Sequence, residues 1–146
     1  MPTFSATDCN YEEIGHPTEV GLRLEADTTA DLFICAAQAM FHLIQPEHVP
    51  GTKTAEWQQI TLSANDPESL LVAWLDELLD LYHKTGLIYH RYSLVTWEPT
   101  FLEATVTGDK PAKPPTRQIR AATYRQLELT QTPTNWQARI LFDSAP

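Results

Sequence analysis

No stretch of this 146-residue chain is apolar for long enough to span a bilayer. Residues 1–10 hold neither the basic segment nor the apolar run that directs secretion. Cysteine is scarce: Cys9 and Cys35 alone, without zinc-site spacing and too few for a disulfide framework. A reducing, cytoplasmic setting is therefore expected, with Cys35 as small apolar filler inside Leu32-Phe33-Ile34-Cys35-Ala36-Ala37. Basic residues are few as well, 10 Lys and Arg against 19 Asp and Glu, which gives a net charge of −9. A surface of that sign repels phosphate backbones and anionic lipid, so direct nucleic-acid or membrane binding is not expected. There is no Gly-rich phosphate loop, no Ser-centred nucleophile elbow and no helix carrying two zinc-spaced histidines. The common signatures of nucleotide, acyl and zinc-protease chemistry are thus missing.

What is present describes one folded domain over residues 1–146, with 42% hydrophobic residues and four tryptophans. The stretch 11–22 reads as a polar connection that delivers His16 and Glu19 to the mouth of a half-buried strand. In that strand, 20–26, Val20, Leu22 and Leu24 share one face, while Glu19, Arg23 and Glu25 share the other. Thr28 with Asp31 marks a helix start, and Pro46 marks the end of that helix, which buries Phe33, Ala37, Met40, Phe41 and Ile44. After a β-prone run at 57–63, Asp66-Pro67-Glu68 opens a second helix whose Leu70, Leu71, Trp74, Leu75, Leu78 and Leu79 recur at helical spacing until Gly86. Its acids, Asp76, Glu77 and Asp80, read as a solvated face. A hairpin over 88–97 and 101–108, a proline-rich loop over 108–116, and two long alternating strands over 117–130 and 136–143 complete the chain. The expected fold is α+β, in the order β-α-β-α-β-β-β-β, with two helices covering a mainly antiparallel sheet.

The histidines are scattered, and His42, His48, His83 and His90 read as surface or edge residues. Parity offers a sharper clue. Asp143 alternates with the apolar Phe142, Ile140 and Trp136, just as Glu19 alternates with Val20 and Leu22. Two carboxylates at strand ends, both on the open side, are the material of an oxygen-rich cation site. The plainer alternative is that one caps a turn and the other lies at a frayed terminus.

The blocks HPTEVGLRLEA, DLFICAAQAMFHLI, ESLLVAWLDELLDLYHKTGLIY, IRAATYRQLEL and WQARILFD resemble, in order and spacing, the archease family. The resemblance implies a small α/β protein that is not itself a catalyst. It implies a protein cofactor of RtcB-type RNA ligases, which promotes guanylylation and turnover of the ligase in tRNA splicing and RNA repair. It further implies a divalent cation, Ca²⁺ first, held by Glu19, Asp143 and the carbonyl of Ser144. Glu19 stands where the family motif His-Thr-Ala-Asp has its Asp, one methylene longer. The family block Lys-Ala-x-Thr-Tyr-His reads Arg120-Ala121-Ala122-Thr123-Tyr124-Arg125. His16, Arg120, Tyr124 and Arg125 are accordingly expected to contact a partner or to support the cation ligands. Two other functions fit the residues: a small metal-dependent hydrolase using Glu19, His16 and Asp143, and a chaperone-like binding module whose cation site has decayed.

Overall fold

Both helices begin where a side chain accepts from their open N–H groups. In the computed structural model, which describes residues 9–16, 19–51 and 55–144, α1 (Thr29–Ile44) is capped by Thr28 Oγ1, which accepts from the Asp31 N–H at 3.1 Å. The second helix, α2 (Pro67–Thr85), is capped by Asp66 Oδ1, which accepts from the Ser69 N–H at 2.7 Å. Gly86 ends it at φ 75°, a left-handed conformation that a side chain would resist.

The strands are β1 (Asn10–His16), β2 (Glu19–Ala26), β3 (Gln58–Ser63), β4 (Ile88–Glu98), β5 (Phe101–Asp109), β6 (Ile119–Ala122), β7 (Glu128–Gln131) and β8 (Trp136–Ser144). The expected class is observed, two helices packed with antiparallel β-structure, and the expected elements follow in their expected order with two further strands. Four details differ from the sequence expectation, each for a local reason.

First, the polar stretch around Tyr11 is a strand. β1 is an edge strand that takes its hydrogen bonds from β2, with Asn10 opposite Glu25 and His16 opposite Glu19. Its side chains are mostly exposed, so it needs no apolar alternation and shows none.

Second, the run 117–130 is broken. β6 and β7 both pair with β8, and between them a turn at 124–127 is closed by the Leu127 N–H on the Tyr124 carbonyl at 3.3 Å. Gln126 sits in this turn at φ 54°.

Third, the β-structure forms two sheets. One follows β1-β2-β8-β6, with β7 also on β8, and the other follows β3-β5-β4. The reason lies in α1, which is buried nearly all round: Leu32, Ile34, Cys35, Ala36, Ala39 and Leu43 are as inaccessible as the expected apolar face. A helix apolar on every side needs partners on every side. It finds them in β2 and β8 of the large sheet, β4 of the small one, and α2. The Trp74 indole N–H fastens α2 to it by donating to the Phe33 carbonyl at 2.9 Å in the core.

Fourth, the cysteines are not free thiols. Cys9 and Cys35 are joined in a disulfide, their Cα atoms 5.3 Å apart. Cys9, just ahead of β1, meets Cys35 of α1, an approach between positions 26 apart that sequence spacing does not reveal.

No helix among the described residues is long and apolar enough to cross a membrane.

Candidate functional site

The alternation in β2 sends Val20, Leu22 and Leu24 into the core and leaves Glu19 half-buried at the strand start. The same alternation in β8 buries Ile140 and Phe142 and turns Asp143 outward. β2 and β8 are antiparallel neighbours, with Val20 opposite Phe142. The start of one strand therefore lies beside the end of the other. Residues 124 positions apart in sequence thus share one rim of the large sheet, as their parity suggested.

What occupies the space between them is Arg125. Its Nη1 donates to Glu19 Oε1 at 3.0 Å and its Nη2 to Asp143 Oδ1 at 2.6 Å. The turn at 124–127 delivers this guanidinium. Arg139 Nε braces the turn by donating to the Gln126 carbonyl at 3.2 Å, and Thr123 ties its entry to the Leu141 carbonyl through both its N–H and its hydroxyl. Asp143 and Arg125 are more than half exposed, so each pair contributes no more than about 1 kcal/mol to stability. The pairs therefore add little to the stability of the fold.

The other expected residues fall around this rim. Arg120 is exposed on β6 at a register irregularity: Ile119 pairs with Ser144 and Ala121 with Asp143, leaving Arg120 between them. Such irregularities re-aim side chains. Tyr124 is exposed next to Arg125. Ser144 ends β8 opposite Ile119. His16 has its backbone at the end of β1, opposite Glu19, and its side chain lies outside the described residues, as do Pro17 and Thr18 of the same motif.

Asp76 belongs to this region too, against the expectation of a solvated helix face. Its Oδ1 accepts from the Ala122 N–H at 2.7 Å, which docks α2 on β6 one residue from the partner of Asp143. Burial pushes its carboxyl above the ordinary aspartate range. The Ala122 hydrogen bond opposes that shift, and the negative charges of Asp80 and Asp143 reinforce it. The signal in the sequence was faint: Asp76 follows Val72 by four and precedes Leu79 by three, both buried, so it flanks the apolar stripe.

The donor set suits a hard cation. Two carboxylate oxygens already hold a positive group between them, and oxygen is the ligand that Ca²⁺ and its relatives take.

Comparison with known proteins places the chain in a family. The profile of the archease protein family (MTH1598/TM1083) matches residues 11–143. Protein archease of Methanosarcina barkeri is 31% identical over 140 residues, covering 91% of this chain and 94% of that protein. Protein archease of Pyrococcus abyssi is 27% identical, covering 91% and 97%. Among solved structures, Methanobacterium thermoautotrophicum protein 1598 superposes with a TM-score of 0.70 at 19% identity, covering 91% of this chain and 97% of that one. A Thermotoga maritima archease, described as a possible chaperone, superposes at 0.62 with 17% identity, covering 90% and 95%. The matched span begins in β1 and ends on the outer carboxylate of the rim, and on it the chain belongs to the archease family.

Proposed function

We propose that this chain is an accessory protein of an RtcB-type RNA ligase, promoting its guanylylation and turnover without catalysing a reaction itself. The observation that carries the reading is the rim formed by Glu19, Arg125 and Asp143, lying within the stretch that matches the archease family. The net charge of −9 supports it further. A protein this acidic is poorly suited to hold RNA and well suited to meet a basic RNA-handling partner, whose encounter rate the opposite charges raise. Arg120 and Tyr124, exposed beside the rim, are the residues we assign to that contact.

The same reading places a divalent cation, Ca²⁺ first, on Glu19, Asp143 and the Ser144 carbonyl, in exchange for the Arg125 guanidinium. Bound there, the ion supplies two positive charges where the arginine supplies one. The chain's own residues hold the two strand ends together in either case, and Asp76 anchors β6 behind them.

The deciding experiment is single-turnover guanylylation of the cognate ligase with wild-type protein, with Asp143→Ala and with no addition. A faster reaction with wild type, largely lost with Asp143→Ala, is expected. Equal rates with and without wild-type protein would sink the proposal.

A further inference from the structure

Where the loop after α1 meets β4 and the end of β5, three side chains that read as unrelated in sequence converge. His48 Nε2 lies 2.6 Å from Asp109 Oδ1, and His90 Nε2 lies 3.3 Å from the same oxygen. One ligand atom from each of the three falls within 4.8 Å of both others. The side chains are well shielded, at 8%, 17% and 15% exposure for His48, His90 and Asp109. None of them takes part in the rim.

The backbone is shaped around this convergence. His90 is the extra residue of an irregularity in β4: Tyr89 pairs with Gly108 and Arg91 with Thr107, so His90 has no partner of its own in β5. A bulge of this kind turns a side chain out of the ordinary alternation and is common beside functional sites. Opposite it, Gly108 admits no side chain, since a Cβ there would fall 1.9 Å from the Ile88 carbonyl oxygen. That close approach sets the position of Asp109, the next residue. The second oxygen of Asp109 accepts from the Gly51 N–H, which fixes the carboxylate and ties in the loop that carries His48. Orientation of a carboxylate by a backbone donor is what metal sites use to hold their ligands.

Among the described residues three buried side-chain polar atoms lack a hydrogen-bond partner, Gln38 Oε1, Trp97 Nε1 and His90 Nε2, and the last belongs to this cluster. His90 Nε2 is buried yet makes no hydrogen bond of acceptable geometry, although the Asp109 oxygen is near. A buried imidazole nitrogen without a partner is costly and rare. Ligand atoms around a tetrahedral ion at ~2.0–2.1 Å sit roughly 3.4 Å apart, so the 3.3 Å spacing of His90 and Asp109 already suits coordination. The His48–Asp109 pair has to open slightly. His48 and His90 also line a cavity of about 300 Å³ with Tyr11, Phe41, His42 and Tyr89, from which water or a small anion can supply a fourth ligand.

We propose that His48, His90 and Asp109 bind a first-row divalent cation. Two imidazoles and one carboxylate are the borderline ligand set of Zn²⁺, unlike the all-oxygen donors of the rim. This site is independent of the ligase reading and stands or falls separately from it.

The test uses the full chain without a histidine tag, titrated with Co²⁺ as a visible probe and with Zn²⁺ as competitor. We expect one equivalent of Co²⁺ to give the intense bands of four- or five-coordinate cobalt, bleached by Zn²⁺, and Zn²⁺ to raise the melting temperature reversibly to EDTA. His90→Gln should lose the bands and weaken Zn²⁺ binding by about a hundredfold or more, while Glu19→Gln and Asp143→Asn should leave both unchanged. The proposal is overturned by a wild-type spectrum no different from that of aqueous Co²⁺, by unchanged binding in His90→Gln, or by loss of binding in Asp143→Asn. Should His90→Gln fail to fold, His48→Gln serves as the ligand variant with the same two outcomes.

Discussion

Arg125 carries a single positive charge between two carboxylates, which makes it a competitor for any ion that would bind there. Each exposed pair is worth no more than about 1 kcal/mol, so replacing the arginine relieves a modest but real competition. Arg125→Ala is expected to tighten Ca²⁺ binding by about fivefold, the equivalent of ~1 kcal/mol, read by isothermal titration. Unchanged affinity would mean that the ion, if it binds, does so elsewhere.

At Asp76 the sign of the pH dependence follows from its shift. Burial, with help from Asp80 and Asp143, raises its folded-state pKa above the unfolded value, so the folded chain binds this proton more tightly. Stability from this group is therefore greatest in acid and falls as pH rises through the interval from the ordinary aspartate value to the raised one. Asp76→Asn keeps an acceptor for the Ala122 N–H and removes the charge. Urea midpoints taken across that interval should show wild type losing ground to Asp76→Asn with rising pH, then a constant difference. Asp76→Ala, which leaves a half-buried N–H without its acceptor, should cost about 1–3 kcal/mol at any pH.

Among the elements, α1 is the one on which the others depend, since both sheets and α2 pack on it. The Cys9–Cys35 disulfide adds a covalent tie from the start of the described chain to the middle of that helix, closing a loop of 26 positions. Constraint of the unfolded chain by a loop of that size is worth about 3.5 kcal/mol. Cys9→Ser should lower the unfolding free energy by about 3 kcal/mol in denaturant titrations, and a reducing agent should do the same to wild type but nothing to the variant. Identical midpoints for oxidised and reduced wild type would show that the bond contributes no stability. The helix starts, the helix stops and the β4–β5 hairpin were legible in the sequence because each is set by residues within a few positions: Thr28, Asp66-Pro67, Gly86, and the alternation of Leu102, Ala104 and Val106. β1 was not legible, because the hydrogen bonds that make it a strand belong to β2 and its own side chains face solvent.

For the molecule as a whole, the net charge of −9 governs what it can meet. Association with the proposed ligase partner should slow steeply as salt rises, since charge steering acts on the encounter and is screened over about 10 Å at 0.1 M ionic strength. Stopped-flow association rates at several salt concentrations read this directly, and the protein alone should shift no RNA in a gel. A salt-independent rate would remove charge from the account of partner choice.

Composition and local pattern by themselves determined the α+β class, the two helices and the outward parity of Glu19 and Asp143, because each depends on the period of a strand or helix and on residues adjacent in the chain. Tertiary structure alone decided what those carboxylates meet. The parity of a strand says which face a side chain takes but not what arrives opposite it. Arg125 reaches the rim through a turn whose Gln126 adopts a left-handed φ that few sequences announce. His48, His90 and Asp109 come together through a loop, a strand irregularity and a strand end, three devices without a sequence period.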